Sequence, residues 1–363
     1  MKAVLVLEDG TFYAGESFGA TENAFGEVVF NTCMTGYQEI TTDPSYNGQM
    51  VCMTYPLIGN YGMNSEDDES YKTHVDGFIV KELCDYHSNF RAESAPDKYF
   101  ADNKITGIKG VDTRSLTQHI RKFGSMYGVI STNSGNVEIL IEQLKTTSAI
   151  KRNLVEEVST NEIYTIPGDG LKVCLIDFGV KSNIIRSLKK RGCQITVMPS
   201  SSSTEDILSI NPDGILLSNG PGDPRDLTEI IPVIKKLAES EIPLLGICLG
   251  HQLLALALYM EIYKLKFGHH GGNHPVKDMD TGKCYITSQN HNYAVVSKNI
   301  PDGIRLTHIN VNDKTVEGFR HNTLPLLSIQ YHPEAAPGPE DSAYIFDDFV
   351  KMMKKGKSNA QKK

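Results

Sequence analysis

A chain of 363 residues, 40% hydrophobic and 22% charged, has the make-up of a globular protein of about two domains, which excludes the collagen-like, coiled-coil and disordered classes. A formal net charge of -8 offers no footprint for a phosphate backbone, so nucleic acid is not an expected partner. The longest apolar run, Ile242 to Met260, is interrupted by Pro243, Gly246, Gly250, His251 and Gln252, and no membrane partner is expected either.

Taken in chain order, Val4 to Leu7 reads as a strand, too short an apolar stretch for a secretory signal. The Asp9-Gly10 turn follows, then strand compositions at Thr11 to Ala14 and Glu27 to Phe30. Asp112 is placed to cap a helix running from Thr113 to about Lys122, with Gly124 where a helix end favours positive φ. Apolar periodicity is lost over 151–170, which closes on Pro167-Gly168-Asp169-Gly170 and is read as a linker between domains at 1–150 and 171–355. Residues 356–363 form a basic tail, the end of a Lys-rich run from Lys351 that reads as solvated.

Buried-strand patterns at Lys172 to Asp177, Gln194 to Val197, Gly214 to Ser218 and Pro243 to Ile247 alternate with helical segments such as Ser182 to Arg191. Crossover connections of this kind make a parallel sheet covered on both faces. The expected fold class is α/β: a β-rich α/β N-terminal domain, then a C-terminal open, mostly parallel sheet flanked by helices. Ligands of such sheets gather beyond the carboxyl ends of the strands, which singles out the residues after Leu217, Ile247 and Ile329.

Gly246-Ile247-Cys248-Leu249-Gly250 follows one of these strands and opens a Leu- and Ala-rich helix. Glycines on both sides of a nucleophile permit a strained strand-to-helix turn that leaves the side chain pointing out of the sheet. The helix N-terminus favours a thiolate, and the Leu249 N–H faces the same space as a donor to an oxyanion. The motif alone also fits a small residue packed at a strand end; its surroundings decide. None of the other six cysteines has such a turn, and the odd total of seven without C-x-x-C pairs fits reduced thiols and the cytoplasm.

A thiol nucleophile needs a proton acceptor, and the acceptor needs a group to fix its tautomer. His332 and Glu334, in Tyr331-His332-Pro333-Glu334, emerge from the buried strand Leu326 to Gln330 at the edge expected for Cys248. Among the other histidines, His269, His270 and His274 look like a metal cluster but have no Cys or carboxylate at ligand spacing, so no metal is expected and the stretch reads as a Gly-rich loop. His251, His308 and His321 read as packing or surface residues.

Three strings, Gly246 to Gln252, Ser218-Asn219-Gly220-Pro221-Gly222-Asp223-Pro224 and His332-Pro333-Glu334, resemble the class I, triad-type glutamine amidotransferases. Asn31 to Glu39, Thr42 to Tyr46, Thr54 to Gly62 and Gly110 to Arg114 narrow the resemblance to the small subunits of carbamoyl phosphate synthetases. It spans nearly the whole chain, ending near Met353.

The resemblance implies that Cys248 is the nucleophile, His332 the base and Glu334 its partner. It implies an oxyanion hole from the Gly222 and Leu249 amides, with Gly220 in the same substrate-contacting loop. Ser45, Gln252, Asn290, Asn292 and Tyr293 fall at positions that hold glutamine, Ser45 from the N-terminal domain, which also docks the large subunit. Asn292 stands where the family usually has Gly, and Asn tolerates the left-handed conformation that a Gly there suggests. By the same resemblance ammonia passes to a separate large subunit that binds ATP, Mg and bicarbonate, while this chain binds no cofactor and shows no phosphate-binding G-x-x-x-x-G-K-[ST] loop. Pyrimidine and arginine synthesis both remain open as destinations. So do two other readings: another class I amidotransferase or a γ-glutamyl hydrolase, and a catalytically silent regulatory subunit.

Overall fold

A computed structural model describes residues 1–132 and 136–360 and divides into two compact units, Met1–Leu154 with Lys266–Gly271, and Val155–Leu265 with the chain from Gly272 onward. Each is described by itself.

In the first unit, strands Lys2–Leu7, Phe12–Gly19, Thr106–Lys109, Gly77–Ile79, Gln49–Met53, Ala24–Asn31 and Met126–Ser131 pair in that order and close into a barrel. Closure is made where Val4 to Leu7 pair antiparallel with Gly128 to Ser131. Alternation sends Leu5 and Leu7 to one cluster with Val28, Met50, Ile79, Ile108 and Ile130, all fully buried. Each such side chain contributes about 1.5 to 3 kcal/mol. The interior leaves no slack: a Cβ at Gly107 would lie 2.2 Å from the Phe18 ring. The expected helix is present as Thr113–Phe123, with Asp112 Oδ1 accepting from Ser115 N at 2.9 Å and Gly124 at φ 108.

In the second unit five strands, Gln194–Pro199, Lys172–Asp177, Gly214–Leu217, Leu244–Ile247 and Leu326–Ile329, run parallel and adjacent in that order. Both faces are apolar. Val173 and Leu175 join Leu216, Leu245, Leu327, Phe346 and Phe349 in one core, while Cys174, Ile176, Ile215, Leu217 and Leu253 belong to another. This two-sided burial is why these strands read as continuous apolar runs. Tyr164–Ile166 adds an antiparallel edge, and Val316–His321, Cys284–Val295, Ile262–Asp278 and Ile304–Asn310 extend the other side to ten strands among the described residues. That antiparallel extension left little trace in the sequence, because its strands carry polar and histidine-rich faces.

The stretch Gly268 to His274, expected as a loop, instead lies inside strand Ile262–Asp278, with Gly268 at φ 69 and Gly271 at φ 153. Glycine lets an irregular strand continue where other residues would end it. Residues 356–360 of the expected basic tail extend helix Tyr344–Ala360, and 361–363 lie outside the described residues. Among the described residues no helix is long and apolar enough to cross a membrane.

Candidate active site

The G-x-C-x-G string makes the turn its composition suggests. Strand Leu244–Ile247 ends at Cys248, which stands at φ 52, ψ -103 as the cap of helix Leu249–Ala257. A non-glycine residue at such a φ costs of order 1 to 3 kcal/mol and persists only where its surroundings impose it. They do so by close approach. A Cβ at Gly246 would sit 2.7 Å from the Gly250 carbonyl oxygen, and one at Gly250 would sit 2.3 Å from the Leu217 oxygen. The Cys248 amide donates to Ile329 O at 2.9 Å, tying the turn to the neighbouring strand. Its thiol, 2% exposed, donates to the Asn290 carbonyl at 3.5 Å and accepts from Gln330 Nε2 at 3.8 Å.

His332 leaves the adjacent strand end and is fixed by a bond from its amide to Ser288 O at 2.9 Å. Its Nδ1 lies 2.6 Å from Glu334 Oε1, the spacing the intervening Pro333 allows. The same carboxylate oxygen is 3.1 Å from Lys181 Nζ, and all three side chains are buried. Imidazole Nε2 meets no partner in hydrogen-bonding geometry among the described residues. The Cys248 thiol is nevertheless near enough to act on the ring's titration.

Burial by itself would make both ionised groups unfavourable. For His332 that tendency is outweighed by the Glu334 carboxylate and by Cys248, which raise its pKa to about 10. For Glu334 burial is outweighed by Lys181 and then by His332, which hold its pKa down at about 2. The imidazole is therefore cationic at neutral pH, between one fixed carboxylate and a sulfur. His251, just past the turn, is a packing residue as expected: it bonds Ser328 Oγ through Nδ1, and burial lowers its pKa to about 3.

The remaining expected residues are distributed as follows. Gly220 lies in the loop after Gly214–Leu217, where a Cβ would fall 2.2 Å from Phe178 O, and Gly222 of that loop adopts φ 90. Leu249 opens the helix and is buried. Gln252 Nε2 donates to Tyr293 O at 2.8 Å and to Gln330 Oε1 at 3.1 Å. Asn290, Asn292 and Tyr293 share strand Cys284–Val295. Asn292 is in extended backbone there, so the left-handed turn expected at this position is not formed and Asn needs no special tolerance. Ser45 belongs to the first unit, in the 3-10 turn Pro44–Tyr46, with its amide held by Asp43 Oδ1 at 2.9 Å.

Lys181, Asn183 and Gln330 escaped the sequence reading. Lys181 follows strand Lys172–Asp177 and caps helix Ser182–Lys190, and it donates to Ala335 O as well as pairing with Glu334. Asn183 Nδ2 donates to Glu334 O. The carboxyl end of Lys172–Asp177 is a strand end like the three that were singled out, and that topological signal would have found Lys181.

Two family models match the chain, "Glutamine amidotransferase class-I" over residues 174–352 and "Carbamoyl-phosphate synthase small chain, CPSase domain" over residues 5–130. A carbamoyl phosphate synthase small chain of Clostridium perfringens is 54% identical, with 97% of this chain and 99% of that one covered. The chain belongs to the carbamoyl phosphate synthase small chain family. An Oceanobacillus iheyensis small chain is 51% identical over 98% of this chain and 97% of its own length. A Bacillus subtilis chain named as the pyrimidine-specific small chain is 50% identical, with 97% and 96% covered. Family membership makes the chain a glutamine amidotransferase, the glutamine-hydrolysing component of the synthase, and implies a large chain as its partner.

Proposed function

We propose that Cys248, His332 and Glu334 carry out the glutaminase half-reaction, with Lys181 holding Glu334 ionised. The single observation behind this is the buried line of Lys181, Glu334 and His332 beside a cysteine in a strained strand-to-helix turn. A cationic His332 supports a thiolate partner, which attacks the glutamine carboxamide carbon. The Gly222 and Leu249 amides take the oxyanion of the tetrahedral intermediate. His332 gives its proton to the leaving nitrogen, and the C–N bond breaks to release ammonia and leave a γ-glutamyl thioester. Thioester formation removes the sulfur's negative charge, one of the causes that raise His332, so the ring can now act as base. It takes a proton from water, hydroxide adds to the thioester, and glutamate leaves with the thiolate and imidazolium restored.

Gly220, Gln252, Asn290, Asn292, Tyr293 and, from the first unit, Ser45 are assigned to glutamine. Ammonia released in bulk water at neutral pH is mostly protonated and non-nucleophilic, which favours an enclosed route to the large chain, where ATP, Mg and bicarbonate are used. The first unit is assigned to docking that chain. The protein is assigned to the cytoplasm, an assignment that its seven free cysteines support.

The deciding experiment is Cys248→Ser in the complex of small and large chains. Glutamine-dependent carbamoyl phosphate synthesis should fall by at least about a thousandfold, while synthesis from added ammonia persists. Retained glutamine-dependent synthesis would overturn the assignment.

A further inference from the structure

The loop that carries Gly220 and Gly222 continues into Asp223, Pro224 and Arg225, and it is fastened through Asp223 and Arg225, neither of which has a part in the chemistry above. Asp223 caps the 3-10 turn Pro224–Asp226, its Oδ1 accepting from Arg225 N at 2.9 Å. The same carboxylate takes the Arg225 guanidinium as a fork, Nε to Oδ1 at 2.9 Å and Nη2 to Oδ2 at 2.7 Å. The guanidinium lies over the Tyr293 ring, 5.3 Å from its centroid. The Tyr293 hydroxyl is near enough to both side chains to act on the titration of Asp223 and Arg225. Tyr293 stands three residues beyond Asn290, whose carbonyl meets the Cys248 sulfur, and its own carbonyl accepts from Gln252.

We propose that Asp223, Arg225 and Tyr293 form a latch that sets the spacing between the glycine loop and strand Cys284–Val295, making Arg225 a positioning residue for glutamine. The inference rests on the proposed assignment of that loop and strand to the substrate. Its physical basis is the looseness of the loop without it. Gly222 at φ 90 has a backbone free to leave its native conformation, and glycine loses more entropy on ordering than any other residue. A half-exposed ion pair contributes little by itself. A planar guanidinium that is at once forked to a carboxylate on the loop and stacked on a ring of the strand is satisfied only when the two segments are in register. Arg225 touches neither the nucleophile nor its base, so losing it weakens substrate capture and leaves the thioester chemistry intact.

The test is steady-state kinetics of the reconstituted two-chain complex, each preparation normalised to its own rate with ammonia. Arg225→Ala should raise KM for glutamine by about threefold to thirtyfold, the combined worth of an exposed ion pair and a cation–π contact, with kcat changed by less than about twofold. Arg225→Lys keeps the charge without the fork and should fall between Ala and the parent. Tyr293→Phe keeps the ring and loses the hydroxyl; combined with Arg225→Ala it should raise KM by less than the product of the two single effects. An unchanged KM in Arg225→Ala overturns the latch, as does a fall in the ammonia-dependent and glutamine-dependent rates by one common factor. Failure of the glutaminase reading would show separately, as glutamine use that survives Cys248→Ser.

Discussion

The two units solve the same problem of burying strands in opposite ways, and only one solution leaves room for chemistry. In the first, pairing of Lys2–Leu7 with Met126–Ser131 closes the sheet, and side chains such as Leu7, Met50 and Ile130 fill its middle. Closure removes the edges and consumes the interior. In the second, the parallel strands stop together at one edge, and Lys181, Cys248, Gln330 and His332 stand within four residues of the strand ends Asp177, Ile247 and Ile329. An open sheet gathers residues distant in sequence at its strand ends, while a closed one spends its tolerance on packing. Perturbations at the strand ends of the second unit should therefore appear in the pH profile and kinetics, and those inside the barrel of the first in stability alone.

The sharpest break of that contrast is Glu334→Gln. It removes the leading influence that raises His332 and leaves burial, which lowers it. A cation with a raised pKa persists below that value and is lost as pH rises through it, so the parent's glutaminase rate should hold through neutrality and fall near pH 10. In the variant the alkaline limb should move down by about 1 to 3 units, with the plateau reduced by about a hundredfold to ten-thousandfold. An unmoved limb would separate Glu334 from His332. Next in size, Lys181→Met removes one of the two buried cations that Glu334 meets, the other being His332. Unfolding in urea should show a loss of about 3 to 5 kcal/mol, and a stability within 1 kcal/mol of the parent would make the pair dispensable.

Gly107→Ala probes the barrel, where the new Cβ would overlap the Phe18 ring. It should cost about 1 to 3 kcal/mol by overpacking, seen as a lower melting temperature with the pH profile unmoved. A displaced profile would contradict the division of labour between the units. Asp112→Ala is the mildest: loss of its cap on helix Thr113–Phe123 should cost about 0.5 to 2 kcal/mol, measured the same way.

The local grammar was legible before any coordinates. The helix starting after Asp112, the five parallel strands and the cysteine turn all follow from patterns a few residues long, whose causes are capping, two-sided burial and steric room at Gly246 and Gly250. The His332–Glu334 pair was also within reach, since two residues separated by one proline have few ways to face each other. The antiparallel extension was not: Gly268 to His274 carries the composition of a loop and belongs to a strand that the sheet sets between the two strands following it in the chain.

The strained cysteine turn, then, was legible in the sequence, because the glycines on either side of Cys248 are the residues such a turn needs, and the adjoining strand then holds it. The charge state around it was decided by tertiary structure. Lys181 lies 153 residues from Glu334 in the chain, and nothing local to either announces a buried ion pair. The Asn292 position makes the same point in reverse, since a residue type suggesting a left-handed turn sits in extended backbone once its strand is paired. Backbone conformation over a short turn is governed by near neighbours, whereas the ionisation of a buried group depends on whichever charges the fold brings within a few ångströms.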